Sequence, residues 1–143
     1  MMGAEDNKAI ARAIVEEIWN QWRAERVADL IAPAYAVHRD PLDSWDGKTL
    51  DHAAFRERLG QTRAAFPDQR FAIEDMLAEG DKVAVRWTCE GTHQGDLPGF
   101  PASGRAFKIC GMTIYAIVEG KATGHWQALD RIDLMRQIGA VGL

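Results

Sequence analysis

The chain has 143 residues, 47% hydrophobic and 27% charged, enough to bury one complete core and too ordinary in composition for a disordered or fibrous chain. Its formal charge of −4, with no cluster of Lys and Arg, excludes a phosphate-binding face, so no nucleic-acid partner is expected. The longest wholly apolar run, Ile114-Tyr115-Ala116-Ile117-Val118, is far short of a membrane span, and the N-terminus lacks the apolar stretch of a signal peptide, so the expectation is a cytoplasmic protein with no membrane partner.

Ile10, Ile14, Val15, Ile18, Trp19 and Trp22 recur at helical spacing opposite a polar face, which predicts an amphipathic helix capped by Asp6 or Asn7. A shorter helical turn with Val27, Leu30 and Ile31 follows and stops at Pro33. A second long helix starts near Asp51, buries Phe55, Leu59, Thr62 and Phe66, and ends before Pro67.

From Arg70 the period changes to two. Phe71, Ile73 and Asp75 alternate with Ala72, Glu74 and Met76, Glu79-Gly80-Asp81 makes a turn, and Val83, Val85, Trp87 and Cys89 share one face of the next strand. A third strand over about Arg105 to Val118 turns at Glu119-Gly120 into a fourth over Lys121 to Asp130, with Gly120 supplying a positive φ. Helices first and hairpins afterwards predict one α+β domain over residues 1–143 with a mostly antiparallel sheet. The segment 95–104, rich in Gly and Pro, reads as an ordered loop whose Leu97 and Phe100 either plug the core or rim a pocket. Cys89 and Cys110 fall on neighbouring strands and are expected as reduced thiols, and no zinc-type spacing exists.

The segments EGDKVAVRW, EGTHQG, GFPASGR, IVEGKATGHW and ALDRIDLMRQIG, in that order from Glu79 to Gly139, resemble the SnoaL-like polyketide cyclases of the nuclear-transport-factor-two-like superfamily. Ala34-Tyr35-Ala36-Val37-His38 and the helix around Phe55 extend the similarity. The resemblance implies a cone-shaped curved sheet wrapped around the N-terminal helices and enclosing an apolar pocket, a homodimer formed through the outer sheet face, a small apolar or aromatic molecule as ligand, and no metal or organic cofactor. It also implies acid–base chemistry in which a buried acid and a nearby histidine drive an intramolecular aldol condensation. Aligned without a gap, Gln127 stands where the cyclases carry the acid and Thr113 where they carry the histidine.

Three functions therefore stand open: a cyclase or isomerase with a substituted base, a noncatalytic binder of small ligands, or, as in another branch of the superfamily, water addition to an epoxide with Asp40 as the activating carboxylate. His125, two residues before Gln127, shares its face in a regular strand and titrates near neutrality, and His93 ends the apolar face of its strand; these are the candidate catalytic residues. Thr113, Gln127, His38, Asp40, Trp45, Tyr115 and Phe100 are the candidate substrate-binding residues, with His38 and Asp40 placed on the wall opposite His125. Asp130 reads as a helix N-cap or a site residue. A one-residue change in pairing after the Glu119-Gly120 turn would reverse the side on which Thr113 meets Gln127.

Overall fold

The computed structural model describes residues 3–140. Helix α1 (Ala4–Ala13) runs on into wider π-helical turns over Ile14–Trp19, so one continuous helical rod buries Ala11, Ile14, Val15, Ile18 and Trp19. It starts earlier than either predicted cap. Gly3 is the N-cap, and Asp6 lies inside the first turn, where its carboxylate accepts the Gly3 N–H at 3.1 Å. Asn7 is buried and donates to the Gly80 carbonyl.

Helix α2 (Val27–Leu30) stops one residue sooner than expected because Ile31 opens strand β1 (Ile31–Arg39), which contains Pro33. This strand went unread because Pro33 removes a backbone donor and breaks the apolar alternation. The sheet tolerates it there, since the pairing of β1 with its neighbour is irregular between Ile31 and Ala36. Strand β2 is only Thr49–Leu50. Helix α3 (His52–Ala65) begins where Asp51 accepts the Ala54 N–H at 2.8 Å, and it turns Phe55, Arg58 and Leu59 inward.

Strands β3 (Arg70–Glu79), β4 (Lys82–Thr92), β5 (Ala106–Val118) and β6 (Lys121–Leu129) form an antiparallel meander, and α4 (Arg131–Gln137) closes the described chain. The order in the sheet is β2-β1-β6-β5-β4-β3, with β1 parallel to β6 and every other pairing antiparallel. The expected mostly antiparallel α+β sheet is therefore present, with one parallel seam that joins the two halves of the chain.

Three extra residues in this sheet decide which side chains face the core. At Glu74 the register with β4 shifts, so Phe71 and Ile73 lie inside while Asp75 turns outward to pair with Arg86 at 2.7 Å and Met76 takes the inner place. The simple alternation read from Phe71 to Asp75 fails at that bulge. At Thr123 the hairpin shifts from Ile117↔Ala122 to Ala116↔Gly124, which brings Thr113 opposite Gln127 and Tyr115 opposite His125. Without that extra residue the tight turn would set Thr113 against Trp126. At His38 the parallel seam shifts as well, from Val37↔His125 to Arg39↔Trp126.

The two cysteines are one place out of register across β4 and β5, Cys89 facing Ile109 and Cys110 facing Thr88. They lie on opposite faces, both free, and burial pushes the Cys89 thiol up to about 12. No described helix is long and apolar enough to cross a membrane.

Candidate active site

The concave face of the sheet, α3 and the loops at its open end enclose a cavity of about 950 Å³, within the range usual for small-molecule sites. Its middle is apolar and aromatic, with Trp87, Phe71, Phe107 and Ile109 among its walls. Its polar wall is built by β6 and the end of β1.

Asp40 directly follows β1 and is 1% exposed, a carboxylate that only a full set of partners can keep charged. It has them. His125 Nε2 lies 3.0 Å from one carboxylate oxygen, which also accepts from Arg58 at 3.2 Å, and Arg131 donates to the other at 2.7 Å. The Gln127 amide nitrogen reaches both oxygens at 3.4 and 3.3 Å. Burial pushes the Asp40 carboxyl up, but the His125 hydrogen bond and the charges of Arg58, His125 and Arg131 outweigh it and hold the group below its ordinary value of 3.8.

His125 is 2% exposed and its second ring nitrogen, Nδ1, meets the Tyr35 hydroxyl at 2.6 Å. An ionised carboxylate only accepts, so Nε2 carries the proton and Nδ1 accepts from the Tyr35 O–H in the neutral ring. Burial lowers the histidine below its ordinary 6.5, against the raising effect of Asp40, so the neutral form is the resting one. Burial likewise raises the Tyr35 hydroxyl well above 10. Tyr35, His125 and Asp40 thus form one oriented chain, hydroxyl to imidazole to carboxylate, whose Tyr35 and His125 line the cavity.

A second chain fixes Gln127. Trp87 Nε1 donates to Thr113 Oγ1 at 2.9 Å, and Thr113 donates to Gln127 Oε1 at 2.8 Å, which leaves the amide nitrogen aimed at Asp40. Trp87 can lie across β5 because Gly111 stands beneath it, where a Cβ would come 2.6 Å from the ring.

The predicted residues divide between this cavity and other places. His125, Thr113, Gln127, Tyr115, Trp45 and Phe100 line it, and Asp40 stands directly behind His125 and Gln127. Trp45 belongs to the loop 40–48, where its indole donates to Gln61 at 3.2 Å. His38 is not brought to the site: it follows the inward Val37 onto the outer face, where its ring stacks on Trp126 with centroids 4.2 Å apart, and the extra residue in the seam turns Asp40 inward instead. His93 is buried outside the lining, and its Nδ1 accepts the Ser103 N–H at 3.2 Å, fastening the loop 95–104. Asp130 caps α4 by accepting the Asp133 N–H at 2.8 Å.

Tyr35, Arg58 and Arg131 were missed as site residues. Arg58 had a legible signal, since it stands three residues after Phe55 and four before Thr62, a charge on the apolar face of α3. Among the described residues no group of three or more His, Cys, Asp or Glu is placed to hold a metal.

The model of the SnoaL-like polyketide cyclases matches residues 9–138. The chain belongs to the SnoaL-like polyketide cyclase family. A SnoaL-like relative, the nogalonic acid methyl ester cyclase of Streptomyces nogalater, is 29% identical over 122 residues, covering 85% of this chain and 89% of that protein. The SnoaL-like fold is likewise that of a crystal structure assigned to a polyketide cyclase of Acidithiobacillus ferrooxidans, 39% identical with a TM-score of 0.88 over 99% of this chain and 100% of that one. IdmH of Streptomyces antibioticus, assigned to the same activity, is 26% identical with a TM-score of 0.78 over 93% of this chain and 98% of its own. The curved sheet and pocket implied by the sequence resemblance are thus those of the SnoaL-like fold.

Proposed function

We propose that this SnoaL-like protein catalyses an intramolecular aldol-type ring closure on an aromatic or polyketide-like substrate, using a carboxylate delivered from β1 in place of one on β6. The observation that carries the reading is the hydroxyl–imidazole–carboxylate chain of Tyr35, His125 and Asp40 on the wall of an apolar cavity. Gln127 cannot exchange a proton at neutral pH, but the buried carboxylate beside it restores an acid–base system to the same wall.

In this reading Tyr35 Oη takes a proton from the carbon between two substrate carbonyls while its own proton passes to His125 Nδ1, and Asp40 stabilises the imidazolium that forms. The electron pair left on substrate becomes an enolate, whose carbon attacks a second carbonyl of the same molecule and turns its oxygen into an alkoxide. His125 returns its proton to Tyr35 as Tyr35 protonates the alkoxide, so the enzyme ends unchanged and the product is an isomer of the substrate. Arg58 lines the cavity with a buried Nε–H that has no partner among the described residues, a donor suited to the enolate oxygen. The homodimer belongs to the same proposal, supported by Leu77 and Met112, which are 72% and 44% exposed on the outer sheet face.

The test is incubation of the purified protein with nogalonic acid methyl ester, the ligand named for the S. nogalater relative, with product read by chromatography and mass spectrometry. A ring-closed isomer or its dehydration product, formed by the wild type and slowed at least about a hundredfold in Asp40→Asn, supports the reading. Equal rates in the two proteins would refute the role of the relay.

A further inference from the structure

The cavity has a second polar feature, far from the relay. Gln69 follows α3 in the short link to β3, and it is 8% exposed and lines the cavity, yet its Nε2 has no hydrogen-bond partner among the described residues. A buried donor left unpaired costs roughly 1–3 kcal/mol, so one kept in a folded protein calls for a partner that the fold itself does not supply.

Its position is set by close approach of two backbones. A Cβ at Gly91 would lie 3.2 Å from Gln69 Cα and 3.0 Å from the Phe107 ring, so glycine at that point of β4 lets the link press against the sheet at the level of Phe107. Thr113, which fixes Gln127, stands six residues further along β5 on the same face, about 20 Å of strand path at the usual rise. Trp87, Cys89 and Ile109 line the interval. Along the wall made by β4 and β5 the cavity is therefore polar at the relay, apolar from Trp87 to Ile109, and ended by a buried amide whose Nε2 no group of the fold claims.

We infer that Gln69 is a specificity-determining residue, donating a hydrogen bond to a carbonyl or phenolic oxygen at the end of the substrate remote from the reacting carbon. The inference rests on the cyclase reading for what lies at the other end, but its test reads binding without turnover, so the two fail separately.

The experiment compares 9-fluorenone with fluorene, flat tricyclic probes of the same outline that differ by one carbonyl oxygen, using quenching of tryptophan fluorescence to obtain Kd. The wild type is expected to bind the ketone at least about fivefold more tightly, the worth of one neutral hydrogen bond. In Gln69→Met that preference falls to about one while the Kd of fluorene is kept and the Tm of the empty protein is kept or raised, because an unpaired donor has been replaced by an apolar chain of similar size. Retention of the preference in Gln69→Met with its loss in Arg58→Met would place the ketone at the relay and overturn the inference. A fall in Tm with the preference unchanged, or no saturable binding of fluorenone by the wild type, would overturn it as well.

Discussion

Replacing Gln127 by Glu puts a second carboxyl group beside Asp40, and the geometry makes that change harmful. The amide nitrogen it replaces lies 3.3 Å from an oxygen of Asp40, whose guanidinium partners are already engaged. Two carboxylates at that distance repel by about 5 kcal/mol at an effective dielectric of 20. The variant avoids the full cost by keeping one proton on the pair. From an unfolded glutamate value of about 4.3, holding that proton at pH 7 costs about 4 kcal/mol, and the penalty falls by about 1.4 kcal/mol for each pH unit of acidification. A group whose folded pKa is raised contributes stability below its unfolded pKa and loses it as pH rises, so Gln127→Glu becomes more stable relative to wild type as pH falls from 8 towards 5. Urea unfolding followed by tryptophan fluorescence across that range reads the difference directly, and the double variant Asp40→Asn/Gln127→Glu removes the repulsion. Parallel pH–stability curves for Gln127→Glu and wild type would refute a charged Asp40 beside Gln127.

Tyr35→Phe removes the cavity end of the relay and leaves its ring in place, so kcat for ring closure is expected to fall by about 10²–10⁴ with little change in KM. The His125 pKa is lowered on folding, which adds stability above the ordinary 6.5 that is lost as pH falls through the folded value. His125→Gln should therefore flatten the pH dependence of unfolding below pH 6.5, measured by denaturant titration. Gly111→Ala forces a Cβ to within 2.6 Å of the Trp87 ring, and the expected result is a shifted Trp87 emission with weakened ligand binding. Asp130→Ala loses the α4 cap and should cost about 1 kcal/mol in urea unfolding without altering the Kd of fluorenone.

Much of the architecture was legible because it rests on periodicity and turn chemistry. The Asp51 cap, the α3 face of Phe55 and Leu59, and the turns at Gly80 and Glu119-Gly120 carry local signals, and the hairpins follow from them. Strand β1 was not, since Pro33 interrupts its pattern and its partner β6 lies some ninety residues away. The site depends on still less visible features. The bulge at Thr123 puts Thr113 opposite Gln127, and the bulge at His38 separates that histidine from Asp40, although two residues apart in a regular strand they would share a face. Extra residues of this kind are fixed by how whole strands fit, so the polar stretch His38-Arg39-Asp40 carries no local signal that sends its two ends to opposite faces. Asp40 itself was singled out from its polar setting, but its burial among Arg58, Arg131 and His125 comes from three elements far apart in the chain.

Asp40 and Tyr35 hold a neutral His125 with its proton on Nε2, ready to receive a second one on Nδ1. The most direct measurement is a long-range ¹⁵N–¹H correlation spectrum of histidine-labelled protein, assigned through His125→Gln and titrated from pH 8 downward. The expected spectrum shows a protonated Nε2 and an acceptor Nδ1 at pH 7, with titration below 6.5 and a change of this signal in both Tyr35→Phe and Asp40→Asn. A proton on Nδ1 in the neutral ring, or an imidazolium at pH 7, would contradict it.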